Sequence, residues 1–319
     1  MLEYLGVVLG LVLLYKGADY LVNGSSFLAQ RWGVSSLVIG LTIVAFGTSM
    51  PELVVNIFAS LKGNAEISYG NIVGSNILNI LFILGIAAIL VPLKVQRSTV
   101  WKEIPFALLA VLALLFLSNE KILNSSAINT LTRVDGVILL VFFLIFLYYI
   151  FRLMKETKNN VNNEVKNQHS PLAIFLMIAG GLAALYFGGK ITVQSAVAIA
   201  RQIGISDLLI SSTIIAGGTS LPELVTSVVA VLRKEMDLSV GNIVGSNIFN
   251  IFWILGVSAA ISPLTVPVGI NFDFLVLLLA TLLLFIFMFI GTRNKLNRWQ
   301  GVVFILLYAA YVVMIIGRG

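Results

Sequence analysis

Residues 47–54 read GTSMPELV, and residues 218–225 read GTSLPELV. Residues 70–80 read GNIVGSNILNI, and residues 241–251 read GNIVGSNIFNI. In both pairs the second copy lies 171 residues after the first, so the chain contains one pattern twice. Each copy places a carboxylate, hydroxyls and amides inside apolar segments. Because polar groups are costly within a membrane, they indicate a functional site there, and two copies indicate half-sites that meet at a repeat interface.

The composition is that of a membrane protein. Hydrophobic residues make up 59% of the 319 residues and charged residues 11%, with a mean hydropathy of +1.03. Ordinary chains carry roughly 25% charged residues. The chain has no cysteine, which excludes disulfides and thiolate chemistry. The net charge of +6 is explained by basic loops. The first residues lack the basic region of a cleaved signal peptide, so we expect the first helix to be retained.

The apolar runs predict an all-α integral membrane fold of ten transmembrane helices. The predicted spans are 3–24, 35–61, 69–92, 101–118, 134–154, 171–192, 206–232, 240–261, 271–291 and 298–317. A polar linker at 155–170 separates a first repeat (1–154) from a second repeat (171–319). Since each repeat has an odd number of spans, the two five-helix repeats are predicted to be inverted, as in secondary transporters.

Lysine and arginine are unevenly distributed between the two predicted sides of the membrane. With the spans placed as above, 13 of these residues fall on the side of the linker and six on the other. Cytoplasmic loops of membrane proteins are enriched in lysine and arginine. We therefore predict a multi-pass plasma-membrane protein with the linker in the cytoplasm and both termini outside.

The GTS-x-PE segments predict broken helices. Pro51 and Pro222 each lie inside a long apolar span, where proline removes a backbone donor and interrupts the helix. Such a break is tolerated at membrane depth when it is buried or lines a cavity. We expect it to free the carbonyls of Ala45 and Ala216. A plain kink, with hydroxyls bonded back to the helix, is the alternative, and the two intramembrane glutamates without a basic partner weigh against it.

The GN-x-x-GSN segments predict a polar stripe on each of two helices. Asn71, Ser75 and Asn79 are spaced by four residues, as are their counterparts in the second copy, and such residues share one helix face. The alternative is that these groups only join helices by hydrogen bonds. Asn76 and Asn247 lie one position off the stripe, and we interpret them as structural.

The donor atoms in these motifs favour a hard cation. Carboxylate, carbonyl, amide and hydroxyl oxygens without sulfur or imidazole suit Na⁺, Ca²⁺ or Mg²⁺. The charges of Glu52 and Glu223 balance one Ca²⁺, two Na⁺ or two protons, which is a physical basis for exchange at one site.

An enzyme is not expected from these residues. The one histidine, His169, belongs to the predicted linker, and an intramembrane protease would lack its catalytic groups. A cation channel that uses the same oxygens is the alternative from a different class, but inverted repeats with broken helices favour alternating access.

At these motifs the chain resembles the cation/Ca²⁺ exchanger superfamily, specifically its Na⁺/Ca²⁺ exchanger branch of prokaryotic type. The resemblance implies ten helices in two inverted halves, with the first and sixth helices sliding across a four-helix ion core. By position it implies two central ligands, Glu52 and Glu223. The other implied ligands are Thr48, Ser49, Ser75, Asn79, Thr219, Ser220, Ser246, Asn250 and the carbonyls of Ala45 and Ala216.

The resemblance implies an antiporter that exchanges Ca²⁺ for Na⁺. Several relatives carry aspartate where this chain has Asn250, which leaves stoichiometry and K⁺ dependence open. Proton/Ca²⁺ exchangers of the superfamily usually show a different first motif, although an H⁺/Ca²⁺ antiporter stays the alternative. We expect membrane lipid and the transported ions as partners, with no cofactor, no nucleic acid and no obligate protein partner.

Overall fold

The computed structural model describes residues 2–119, 129–158, 169–204 and 216–318, and most of them are helical. The helices are, in chain order, α1 (Leu2–Trp32), α2 (Ser36–Thr48), α3 (Met50–Leu61), α4 (Ala65–Leu90), α5 (Thr99–Leu117), α6 (Arg133–Lys158), α7 (Pro171–Gln202), α8 (Leu221–Leu232), α9 (Met236–Ile261), α10 (Ile270–Phe287) and α11 (Arg298–Arg318). A single helical turn, Ala216–Gly218, precedes α8.

The helices match the predicted membrane spans. Within the described residues, eight helices are long and apolar enough to cross a membrane, and the bent pair α2–α3 passes the same test as one broken span. The all-α membrane fold is therefore confirmed. The remaining predicted span, 206–232, falls partly on residues 205–215, which lie outside the described residues, so the count of ten stays a prediction.

The outer helices α1 and α7 are longer than their predicted spans. They contain 31 and 32 residues, respectively. At 1.5 Å per residue each is about 46–48 Å long, whereas the hydrocarbon core of a bilayer is about 30 Å thick. Both helices therefore extend beyond the hydrocarbon core or cross it at a tilt.

Helices α4 and α9 form the centre of the molecule. Of their most apolar 18-residue segments, 78% and 83% are buried, compared with 22% for α6 and α11. Gly245 of α9 lies directly against α2, since an added Cβ would lie 3.0 Å from the Leu41 backbone. Small residues permit such close helix approach. The two GN-x-x-GSN motifs thus lie in the two most buried of the described membrane-spanning helices.

Helices α1 and α7 pack along each other outside this centre. A Cβ added to Gly17 would lie 2.8 Å from the carbonyl oxygen of Gly181, and the reverse distance is also 2.8 Å. Gly10 and Gly188 make a similar contact nearer the N-terminus of α1, with both corresponding distances 2.9 Å. The backbones meet without intervening side chains, so the two helices form one closely packed pair.

Two short antiparallel strand pairs join the halves. Strand β1 (Leu93–Lys94) pairs with β4 (Lys295–Leu296), and β2 (Thr130–Leu131) pairs with β3 (Leu264–Thr265). β1 and β3 lie 171 residues apart, so each follows the central helix of its own half. Each half therefore contributes the same kind of strand to a contact with the other half.

Candidate cation site

Both GTS-x-PE segments interrupt a helix, as predicted. Helix α2 ends at Thr48, and α3 begins at Met50 with a bend of 47°. Ser49 at the break has φ −84° and ψ 8°. Ser220 has nearly the same conformation, φ −87° and ψ 7°, immediately before α8. Proline follows as the second residue of α3 and of α8, where its missing N–H costs no helical hydrogen bond.

The breaks place both glutamates in the first turn of a new helix. Glu52 and Glu223 are each 1% exposed, and the helix N-terminus favours negative charge. In the described part of the chain neither carboxylate has a lysine, arginine or histidine among its hydrogen-bond partners. A bound cation would offset the cost of burying both carboxylates.

Serines from the two halves cross-connect the carboxylates. Ser49 Oγ donates to Glu223 Oε1 at 3.0 Å, and Ser220 Oγ donates to Glu52 Oε1 at 3.3 Å. Ser75 Oγ lies 3.5 Å from Glu52 Oε1 and 3.1 Å from Ser220 Oγ. Each glutamate is therefore bonded by a serine from the opposite half.

The threonines of the motifs are held by asparagines of the opposite half. Thr48 Oγ1 donates to Asn242 Oδ1 at 3.0 Å, and Thr219 Oγ1 donates to Asn71 Oδ1 at 3.3 Å. The amide of Asn71 donates in turn to Asn56 Oδ1 and to the Glu52 carbonyl. Because each threonine proton is already donated, the lone pairs of the hydroxyl remain for a cation.

Asn79 and Asn250 lie in segments of π-helix. These segments are Leu78–Ile83 in α4 and Phe249–Leu255 in α9. Insertions of this kind occur often at functional sites. The wider turn moves both asparagines off the regular four-residue stripe that the sequence predicted. Asn79 Nδ2 donates to Asn247 Oδ1, and Asn250 Nδ2 donates to Asn76 Oδ1, both at 2.9 Å.

Several oxygens of the predicted ligands have no hydrogen-bond partner although they are buried. They are Glu52 Oε2, Glu223 Oε2, Asn79 Oδ1, Asn250 Oδ1 and Ser246 Oγ. Buried polar atoms normally have a hydrogen-bond partner. Because all five of these atoms are oxygens with free lone pairs, they could coordinate a cation. In the described residues no three histidine, cysteine, aspartate or glutamate side chains come together. Neutral oxygens must therefore complete the coordination around the two glutamates.

The expectation of freed alanine carbonyls is wrong for Ala45. Its oxygen accepts the Ser49 N–H at 3.1 Å and lies 3.4 Å from Thr48 Oγ1. The physical reason is spacing, since a proline deprives the carbonyl four residues earlier, and for Pro51 that residue is Gly47. A carbonyl has a second lone pair, so Ala45 as a ligand stays a prediction. Ala216 is the first described residue after 205–215, and its role also stays a prediction.

Four asparagines around the ligands form bonds that the sequence does not predict. Asn71 and Asn242 lie on the predicted stripes but outside the predicted ligand set, and the sequence favours a structural role for Asn76 and Asn247. All four hydrogen-bond to predicted ligands of the opposite half. The signal was available in the second GSN motif, because an exact repeat of a buried amide indicates a shared polar network.

The charge in the middle of α1 is paired. Asp19 Oδ1 lies 2.6 Å from Arg233 Nη2 at the end of α8, so the two side chains form an ion pair. Near it, Ser26 Oγ donates to Glu235 Oε1 at 2.6 Å. These contacts connect α1 to the core at a distance from the glutamates.

Comparison with known proteins identifies the family. The protein family described as sodium/calcium exchanger protein matches residues 2–152 and 173–317. The chain belongs to the sodium/calcium exchanger family. The sodium/calcium exchanger MaX1 of Methanosarcina acetivorans is 35% identical, and the alignment covers 98% of both chains. The inner membrane protein YrbG of Escherichia coli is 34% identical, covering 96% of this exchanger and 94% of YrbG.

A solved structure shows the same fold. The sodium-calcium exchanger NCX_Mj, soaked with 10 mM Na⁺ and no Ca²⁺, superposes with a TM-score of 0.83 at 34% identity, covering 98% of each chain. The predicted family and the membrane fold are thereby confirmed, and this exchanger is a transporter and not an enzyme.

Proposed function

We propose that this protein is a secondary antiporter that moves Ca²⁺ against Na⁺ by alternating access. The observation that carries the proposal is the pair of buried glutamates, each 1% exposed and without a described cationic partner, surrounded by unpartnered oxygens. Two negative charges match one Ca²⁺ or two Na⁺, so either load neutralises the site. Hard oxygen donors suit both ions.

The related structures support these ions as substrates. NCX_Mj is described as a sodium-calcium exchanger, and its crystals were soaked with Na⁺, Ca²⁺ or Sr²⁺ in a study of ion exchange and binding-site occlusion. MaX1 is named a sodium/calcium exchanger. The ten side-chain ligands expected here lie on the two GTS-x-PE segments and the two GN-x-x-GSN segments.

Alternating access is supported by an asymmetry between equivalent helix pairs. Helix α1 packs along α8, whereas the equivalent pair, α7 and α3, makes little contact. A cavity of about 370 Å³ lies between α3 and α7, lined by Met50, Val54, Leu182 and Tyr186 among others. If α7 packs against α3 and α1 separates from α8, this cavity closes and an equivalent cavity opens between α1 and α8 on the opposite side of the membrane. The same site would then be reached from each side in turn.

The proposed orientation puts the 155–170 linker in the cytoplasm and both termini outside. Residues assigned to the cytoplasmic side lie together: Arg31 and Lys155 line one pocket, and Lys94 and Lys234 line another. We expect an impermeant maleimide to label Lys62→Cys but not Asn160→Cys in intact cells, since the native chain has no cysteine. Labelling of position 160 alone would reverse the orientation.

The direct test is ⁴⁵Ca²⁺ uptake into proteoliposomes under imposed Na⁺, K⁺ or pH gradients. An outward Na⁺ gradient should drive saturable uptake, and dissipation of that gradient should stop it. Uptake that follows the pH gradient alone would instead identify an H⁺/Ca²⁺ antiporter. Uptake that does not saturate and needs no counter-ion would identify a channel.

A further inference from the structure

We propose that Asn76 and Asn247, here called the asparagine pair, are positioning residues that turn the amide oxygens of Asn250 and Asn79 toward the transported cation. The inference rests on the proposed function and adds to it a determinant of ion affinity. A side-chain amide is a cation ligand through its oxygen alone, because its nitrogen carries two protons. A free asparagine can present either end. A site that uses two neutral amides therefore needs something to fix their orientation.

The hydrogen bonds of Asn76 leave one possible orientation for Asn250. Asn76 Nδ2 lies 3.1 Å from the carbonyl oxygen of Asn247, which can accept but never donate. Asn76 must therefore place its nitrogen there, and its Oδ1 is left as an acceptor. Asn250 contacts that Oδ1 at 2.9 Å, so the contacting atom of Asn250 is Nδ2. Asn250 Oδ1 then faces the opposite direction, where it is buried and unpartnered.

Asn247 imposes the same restriction on Asn79. Asn247 Nδ2 lies 3.3 Å from the carbonyl oxygen of Asn76, which again only accepts. Its Oδ1 receives Asn79 Nδ2 at 2.9 Å, and Asn79 Oδ1 remains buried without a partner. Each member of the pair thus uses a backbone carbonyl of the other half as the reference for its own orientation.

The arrangement differs from a simple join between helices. The bonds from Asn76 and Asn247 to each other's backbone carbonyls would be enough to hold the two helices together. Each of these asparagines also accepts a hydrogen bond from a predicted ligand, Asn250 or Asn79. All four asparagines are at most 4% exposed, so water does not compete for these amides. Because the bonds cross between α4 and α9, both ligand oxygens keep their orientation for as long as these central helices stay together.

The test is equilibrium binding of ⁴⁵Ca²⁺ to purified protein. Asn76→Leu removes the acceptor with little change of volume, and we expect the apparent Kd for Ca²⁺ to rise about 10- to 100-fold, as for other groups that orient metal ligands. Asn119→Leu is the matched control, because Asn119 is another buried asparagine in a hydrogen-bond network, with Asn271, outside the site. Its Kd should stay near that of the wild type.

A double-mutant cycle separates positioning from stability. If Asn76 acts through Asn250, adding Asn76→Leu to Asn250→Ala should change the Kd by less than about twofold, since the oriented amide is already gone. Full additivity of the two effects would overturn the proposal. Asn247→Leu with Asn79→Ala gives the same cycle in the other half and replaces the first if Asn76→Leu does not fold.

A conservative variant gives an independent readout. Asn76→Asp in its protonated form keeps an oxygen that accepts from Asn250 and a hydroxyl that can donate to the Asn247 carbonyl. It should therefore retain most of the Ca²⁺ affinity that Asn76→Leu loses. Equal losses in both variants would contradict a positioning role. If the wild-type protein binds no ⁴⁵Ca²⁺, the proposed function fails. If it binds and Asn76→Leu binds equally well, the positioning role alone fails.

Discussion

At the scale of the residue, the central feature is a pair of carboxylates whose burial in the membrane costs free energy unless a positive charge lies beside them. Glu52 and Glu223 are buried, near each other, and bonded by serines of the opposite half. Hydroxyl donors partly offset the burial of a carboxylate, but a full charge in low dielectric needs a counter-charge. In the proposed function the transported cation supplies that charge, so the two carboxylates are costly to bury and are needed for transport.

Replacing either glutamate should abolish exchange. Glu52→Gln or Glu223→Gln removes half of the charge that binds Ca²⁺, and we expect Na⁺-driven ⁴⁵Ca²⁺ uptake to fall to background. Glu103→Gln is the matched control, because Glu103 is also fully buried but is bonded by Tyr149 away from the site. Near-normal uptake by well-folded Glu52→Gln protein would show that this carboxylate is not a ligand.

Asn250→Asp should make transport more sensitive to pH. A protonated carboxyl can still donate to Asn76 Oδ1, whereas a carboxylate cannot and would place two oxygens against each other. Uptake measured across a series of pH values should therefore vary more steeply than in the wild type, with altered Na⁺ or K⁺ dependence. An unchanged profile would mean that this side chain does not sense the site, and Asn119→Asp controls for a new buried acid.

At the scale of the element, glycines and π-helix turns decide how the helices of the site meet. Gly245 lies in the GN-x-x-GSN motif of α9, where an added Cβ would lie 3.0 Å from the Leu41 backbone of α2. The residue after it, Ser246, is a predicted ligand. A side chain at position 245 would push against backbone, which cannot move aside as a flexible side chain can.

Gly245→Val should therefore weaken both stability and transport. We expect a loss of about 1–3 kcal/mol, typical of overpacking, seen as a lower melting temperature in detergent, together with a raised KM for Ca²⁺. Gly180→Val is the control, since a Cβ at Gly180 on exposed α7 meets no atom within 4 Å among the described residues. A stable, active Gly245→Val protein would mean that α2 and α9 have room to separate.

At the scale of the whole molecule, the two halves have equivalent sequence motifs, but equivalent residues in them make different contacts. Asp19 and Arg233 form an ion pair between α1 and α8. At the 171-residue offset their counterparts are Lys190 and Lys62, which carry like charges and would repel each other if brought together. The closely packed α1–α7 pair therefore has an attractive contact in one arrangement and a repulsive one in its mirror. We expect the arrangement seen here to be the more stable of the two.

Cross-linking tests whether α1 and α7 move as one unit. Joining Ser26→Cys to Glu235→Cys with a short thiol cross-linker ties α1 to the core, and we expect transport to stop until the link is reduced. Gly6→Cys with Ser195→Cys ties α1 to α7, where a Cβ at position 6 would lie 3.2 Å from the Ser195 Cβ, and transport should continue. Continued transport with the first link closed would contradict a sliding pair.

The sequence by itself was sufficient for the family, the membrane fold and most of the candidate ligands. These follow from local rules, namely apolar run length, a proline inside a span, and a motif repeated at a constant offset. The helix breaks at Ser49 and Ser220 were predictable for the same reason, because proline acts on its own turn.

Only the tertiary structure decided how the two halves complete each other. The bonds from Ser49 to Glu223 and from Asn76 to Asn250 join residues 174 positions apart, and no local rule pairs them. The π-helix at Asn79 likewise depends on packing. Amide orientation is set by whichever group faces it across α4 and α9, so the direction of each ligand oxygen is a property of the assembled core.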